Sequence, residues 1–262
     1  SNEPTMDAAA GALRRERMMR MLQHWRIAVA ASLGFIAIGP AGAGAQVVVF
    51  DQVGIVGAPA GIAVRTTAFF SADGGRLVEL ALEGEPLGRV LTGADGFGYR
   101  RFTPRRTGLL RIDARSEDRE GSGRLLVLDP AEQAVLIEVE AALKATIMGA
   151  AAREDCRSAL ESIRRRYRLI YVSRWLGSDW VRARITAAGL PESIVLPWKG
   201  SALLKSLQSK GVQIAALVGS AATASEGRSR VDKRFTFEKS RDAAVVGRWA
   251  EIAEQLNSAT SP

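Results

Sequence analysis

The chain changes its hydrophobic period at Asp129-Pro130, and that change limits what it can fold into. Upstream, from Gln46, short apolar runs alternate with polar residues at a period of two. Downstream, apolar runs of about five residues alternate with segments of helical period, the pattern of strands separated by helices. Proline also disfavours helical structure in the residue before it, so a boundary is expected there. The expected order is an all-β domain over 46–129 followed by an α/β, Rossmann-like domain over 131–257.

The first domain has seven candidate strands: 47–51, 63–70, 77–82, 88–92, 98–102, 108–115 and 124–128. The turn signals between them are Gly57-Ala-Pro59, Asp73-Gly-Gly75, Gly84-Glu-Pro86, Asp95-Gly96 and Gly121-Ser-Gly123. About seven short strands with turns at this spacing predict an immunoglobulin-like sandwich. The series Pro86-Leu-Gly88, Thr92, Asp95-Gly96, Phe102-Thr-Pro104 and Gly108 resembles the bacterial immunoglobulin-like repeats, here in a single copy.

In the second domain, strands are expected at 134–139, 168–173, 193–196, 213–218 and 234–237. Helices are expected at about 152–166, 179–188, 201–209 and 242–256. Ser178 is the predicted N-cap of the second helix and Gly189 its stop. The polar stretch Thr223 to Arg230 is expected to be a loop. The first of these strands, Ala134-Val-Leu-Ile-Glu138-Val139, reads as a central parallel strand buried on both faces, yet it ends on Glu138 and Glu140. In an open α/β sheet the ligand crevice lies outside the carboxyl ends of the strands, so an acidic pair there marks a candidate site.

That pair and the motifs after it resemble the haloacid dehalogenase-like phosphatase superfamily, with the lipin-type domains nearest. Glu138 and Glu140 stand at the first motif's two acids, and Leu169-Ile-Tyr-Val-Ser173 matches the second motif. Lys199, or failing it Lys205, matches the third, and Ala215-Ala-Leu-Val-Gly219-Ser220 through Ala224 matches the fourth. In that superfamily the first acid is the nucleophile, and a Mg²⁺ is held with the help of the fourth motif's acids. Here Ser220 and Ala224 replace those acids. Glu138 also carries its carboxylate about 1.5 Å beyond an aspartate, and a misplacement of about 1 Å can cost a hundredfold in rate. The resemblance therefore implies a degenerate phosphatase-like domain with no catalytic residues, no metal and no cofactor. The gaps between motif strands hold no cap domain, which leaves the strand-end site open to solvent or to another molecule.

Arg14, Arg15, Arg17, Arg20 and Arg26, the apolar run Ile27 to Ile38 and the small-residue segment Ala41 to Ala45 have the order of a secretory signal peptide, with cleavage expected after Ala45. Loss of its five basic and three acidic residues would lower the formal net charge from +8 to +6. The sole histidine, His24, would leave with it, which excludes His-dependent triads and His-ligated zinc from the mature chain. The single cysteine, Cys156, allows no internal disulfide and shares an apolar helical face with Leu160 and Ile163.

The basic clusters at Arg100-Arg101, Arg105-Arg106 and Arg164 to Arg168 are spread over both domains without interleaved stacking aromatics, so nucleic acid is not an expected partner. Trp180 is expected to pack its helix. Arg174, Trp175, Trp198 and Lys199 are the candidates for contacting a ligand or partner. Altogether the sequence predicts an exported, periplasmic or extracellular protein with no transmembrane segment after cleavage. Its expected role is non-catalytic binding or assembly, with a protein or an anionic, phosphorylated envelope ligand as partner and association with a membrane surface as an option. The competing expectations are a divergent metal-dependent phosphatase in which Glu138 and Glu140 still recruit a cation, and a purely structural envelope adaptor.

Overall fold

A computed structural model describes residues 46–68, 71–143 and 155–258. The expected signal peptide, its cleavage site and His24 lie outside the described residues. Among the described residues, no helix is long and apolar enough to cross a membrane.

The first half contains β1 (Gln46–Val49), β2 (Gln52–Ile55), β3 (Ala60–Ala68), β4 (Ser71–Ala72), β5 (Leu77–Leu82), β6 (Glu85–Leu91), β7 (Phe97–Phe102), β8 (Gly108–Ser116) and β9 (Arg119–Leu128). One sheet pairs β1, β3 and β4 in that order with β7 also on β3, and the other runs β2-β9-β8-β5-β6. The two pack face to face as an immunoglobulin-like β-sandwich around Val47, Ile62, Val64, Val78, Ile112 and Leu125. The chain enters in one sheet as β1, crosses at Phe50-Asp51, and joins the other as β2, parallel to β9. The strand expected at 47–51 is β1, which ends at Val49, and β2 is a further strand not among those expected.

Gly121-Ser122-Gly123 is not a turn. It lies inside β9, and the turn is Glu117-Asp118, between β8 and β9, with Glu117 at φ 57°. These glycines serve close packing instead: a Cβ at Gly121 would land on the carbonyl oxygen of Val47, and one at Gly123 would lie 2.7 Å from Val49 Cγ1. β1 thus rests on the bare backbone of β9. Gly121→Ala is expected to displace β1 and cost about 1–3 kcal/mol, the usual range for overpacking a filled core. Chemical denaturation checks this, and an unchanged midpoint would contradict it.

The second half contains β10 (Gln133–Glu138), α1 (Val139–Ala142), α2 (Cys156–Ile163), β11 (Arg168–Ser173), α3 (Ser178–Ala187), β12 (Val195–Pro197), α4 (Ser201–Ser209), β13 (Gln213–Val218), α5 (Ala221–Gly227), β14 (Lys233–Thr236), β15 (Ala244–Val245) and α6 (Trp249–Ser258). All six strands are parallel, in the order β12-β11-β10-β13-β14-β15. Three differences from the sequence expectation stand out. Thr223 to Arg230 is not a loop, because Ser220 caps a helix there by accepting from Thr223 N. The cap position of α3 is Gly177 rather than Ser178. The last helix begins at Trp249, since 242–248 first supplies the short edge strand β15.

β10 shows why its sequence is continuously apolar. Val135 and Ile137 face a core that includes Leu160, Ile163, Trp249 and Ile252, whereas Ala134 and Leu136 face the other side with Leu204 and Leu207. That second core also contains Val53, Ile55, Leu126 and Leu128 from the sandwich. β9 is shared in the same way: Leu125 and Val127 point into the sandwich core, and Leu126 and Leu128 point into the core beside the parallel sheet. The two halves belong to one compact unit.

A buried carboxylate pins this junction. The side chain of Asp51, at the β1-to-β2 crossing, is fully buried. It accepts from Arg124 N at 2.9 Å and Val195 N at 2.8 Å and pairs with the guanidinium of Arg182 on α3. One side chain therefore ties β1–β2, β9, β12 and α3 together.

Candidate site at the sheet's switch point

Numbered by chain order, the parallel strands run 3-2-1-4-5-6, so the winding reverses between β10 and β13. A crevice is expected at the carboxyl ends of that pair. Glu138 closes β10, and Gly219-Ser220 follows β13 at the same level. The Glu138 carboxylate turns across the gap: Oε2 accepts from Ser220 N at 2.8 Å and from Ser220 Oγ at 2.9 Å. Gly219 makes room for it, since a Cβ there would lie 2.7 Å from Glu138 Oε2 and 2.9 Å from Thr223 Cγ2. The extra methylene of Glu138 is what lets β10 reach the cap of α5.

The other oxygen, Oε1, lies 3.4 Å from Arg174 Nε. Arg174 leaves the end of β11 and fills the crevice. It donates to Thr223 Oγ1 from Nη2 at 2.7 Å and from Nε at 3.1 Å, and to Glu226 Oε1 at 3.0 Å. Its guanidinium lies 5.8 Å from the ring centroid of Trp198, within cation–π range. Trp198 Nε1 in turn donates to Glu226 Oε2 at 2.6 Å. With Glu138 2% exposed and Trp198 8% exposed, the network is interior at Glu138 and reaches the surface at Glu226, whose side chain is 40% exposed.

Glu140, on the single turn of α1, organises the next loop. Its Oε1 accepts from Ser173 Oγ at 2.6 Å, Arg174 N at 2.9 Å, Trp175 N at 3.0 Å and Leu176 N at 3.3 Å. Its Oε2 is buried and has no hydrogen-bond partner among the described residues. Glu140→Ala would strand these donors, each costing about 1–3 kcal/mol where buried and unsatisfied. Because the loop is partly solvated, a net loss of about 3 kcal/mol is expected. Glu140→Gln keeps an acceptor and is expected to cost less than half as much. Equal losses for the two variants in urea denaturation would show that the loop does not depend on this acceptor.

The sequence candidates therefore separate. Glu138, Glu140, Ser173, Arg174, Trp198 and Ser220 meet at the switch point. Ala224 is buried within α5 and offers no ligand atom. Lys199 is not in the network; it lines a cleft beside the sandwich. Trp198 is not an exposed rim, because Glu226 and Arg174 hold its ring inside. Trp175 is 78% exposed, while Trp180 is only partly covered, with Arg184 5.8 Å from its ring centroid. The basic run after α2 is engaged locally: Arg164 pairs with Glu161, Arg166 donates to Asn257 O, and Arg168 pairs with Glu132. Thr223 and Glu226 are the members that sequence reasoning missed. Their signal was the capping sequence Ser220-x-x-Thr223, hidden by the polar, glycine-containing character of the stretch.

Chemically, the arrangement favours holding strand ends together over attack on a substrate. A carboxylate nucleophile needs a free oxygen in line with the reacting atom, and both oxygens of Glu138 are engaged. A cation is already present, as the fixed guanidinium of Arg174. Among the described residues, no group of three or more His, Cys, Asp or Glu side chains is placed to hold a metal ion.

No protein-family model matches the chain, and no curated protein is significantly similar to it. Similar solved structures include the CARDB domain of the PF1109 protein from Pyrococcus furiosus, at 16% identity over 32% of this chain and 87% of that one, with a TM-score of 0.27. They also include the D0-D1 domain of Intimin, at 12% identity over 30% of this chain and 43% of that one, TM-score 0.24. Domains 4 and 5 of the S-layer protein SbsC are similar at 11% identity over 32% of this chain and 51% of that one, TM-score 0.23.

Proposed function

We propose that this is an exported, non-catalytic binding or assembly protein of the cell envelope. In this reading an immunoglobulin-like domain over 46–129 is fused to a degenerate phosphatase-like domain over 131–257. The observation that supports it is Arg174, whose guanidinium lies among Glu138, Thr223 and Glu226 at the carboxyl ends of β10 and β13 and supplies a cation from the chain itself. A crevice filled by the chain's own ion pairs is a structural lock, and contact with partners then falls to the outer surfaces, where Trp175 is the most exposed tryptophan described. The signal-peptide pattern supports an exported location, and the engaged arginines support the absence of a nucleic-acid role.

One observation favours the competing reading of a divergent metal-dependent phosphatase: Glu140 Oε2 is a buried carboxylate oxygen without a partner. Hydrolysis of p-nitrophenyl phosphate with millimolar Mg²⁺ or Mn²⁺ separates the two. The expected result is no turnover above that of Glu138→Ala. Cation-dependent turnover that Glu138→Ala abolishes would replace the binding role with a catalytic one.

A further inference from the structure

Where the sandwich meets the parallel sheet, a second recess lies apart from the switch-point network. It is a cleft of about 420 Å³ whose lining includes Phe50, Phe97, Leu196, Leu203, Lys199 and Lys210. Its volume falls in the range of about 300–1,000 Å³ typical of small-molecule sites, and apolar walls with a few polar groups are the usual make-up of such sites. The aromatic wall is ordered by stacking, with Phe50 and Phe97 at 5.8 Å between centroids and 15° between planes.

The charges of the cleft are one-sided. No carboxylate lies within ion-pair distance of Lys199 or Lys210 among the described residues, and the one acid in the lining, Asp51, is engaged by Arg182. Both lysines are exposed at the surface of the cleft, and partial desolvation lowers the Lys210 ammonium from the usual lysine range. Arg65 is outside the lining, but its guanidinium carbon lies 5.1 Å from the centroid of the Phe97 ring that forms part of the wall. An apolar slot with unmatched cations is complementary to a molecule with an apolar body and one anionic end.

We propose that this cleft binds an apolar-tailed carboxylate, with the acyl chain against Phe50, Phe97, Leu196 and Leu203 and the carboxylate on Lys199 and Lys210. Occupancy would place a ligand across the joint between sandwich and sheet and reinforce the contact that Asp51 pins. The assignment does not depend on the switch-point site being inactive.

Decanoate below its micellar concentration is the probe, with decanol as its uncharged counterpart, titrated calorimetrically into the full chain. Decanoate is expected to bind saturably at one site, and more tightly than decanol. Lys199→Gln combined with Lys210→Gln is expected to weaken decanoate by tenfold or more and leave decanol unchanged. Both lysines are on the surface of the cleft, so the unfolding midpoint of that variant should match the parent's. Ala202→Phe, which fills the slot, should abolish both ligands. Absence of saturable decanoate binding, or decanoate affinity indifferent to loss of both lysines, would overturn the assignment.

Discussion

Asp51→Ala is expected to destabilise the protein by about 3–5 kcal/mol, the usual cost of removing one partner from a buried ion pair. The variant leaves the Arg182 guanidinium, whose side chain is 13% exposed, without its buried acceptor, and it strands Arg124 N and Val195 N. These three donors come from β9, β12 and α3, so the loss falls on the joint between sandwich and sheet rather than within either. Asp51→Ala with Arg182→Leu should recover part of the loss, because it also removes a guanidinium left with only the solvent-exposed Asp179 as its partner. Guanidinium denaturation followed by tryptophan fluorescence and far-UV circular dichroism gives the measurement. A loss below about 1 kcal/mol, or a double variant no better than the single, would show that the joint is held by its apolar contacts alone.

Arg174→Ala carries the second large effect. It leaves Glu138 buried without its cation, and Glu226 keeps only Trp198 of the partners described above, so a loss of about 3–5 kcal/mol is again expected. Unlike Asp51→Ala, it should also create a new property. With the guanidinium gone, Glu138 and Glu226 face a vacated space, and a divalent cation that enters it stabilises the fold by RT ln(1 + [L]/Kd), about 1.4 kcal/mol at ten times Kd. Arg174→Lys should fall between wild type and alanine, because a single ammonium cannot span the positions that the planar guanidinium reaches. If Arg174→Ala costs little and gains no cation sensitivity, Arg174 is not the internal counter-ion of this site.

Several features of this structure could be read from the chain, and they share a physical reason. Strand periodicity in 77–82, 98–102 and 108–115 follows directly from a sheet with one buried face, and the sandwich follows from that. The continuous apolar run of β10 likewise announced burial on both faces, and Glu138 and Glu140 at its end take part in the hydrogen bonding at the strand ends. What stayed hidden depended on proximity between distant segments. Gly121 and Gly123 look like turn residues by composition, whereas their role is to let β1 approach β9, which no local pattern encodes. Asp51 looks like a strand-ending acid, and its partners lie 73, 131 and 144 residues away. The run Leu125-Leu126-Val127-Leu128 did hold a usable clue: a strand apolar on both faces cannot have one side in water, so the outer face of β9 had to be covered. Lys199 was misplaced for the opposite reason, since motif order puts a lysine near the acids while the backbone after β12 carries it toward the sandwich.

The central claim is that Glu138 at the switch point is satisfied by the chain's own groups, with Arg174 as its cation. Thermal unfolding of the unmodified protein with increasing millimolar Mg²⁺ tests it most directly. A ligand that cannot enter an occupied site has a Kd far above its concentration and shifts nothing, so the predicted result is no rise in Tm across the titration, against a clear rise for Arg174→Ala in the same series. A rise in Tm for the unmodified protein that Glu138→Gln abolishes would contradict the account, because it would mean that Glu138 holds a metal in spite of Arg174.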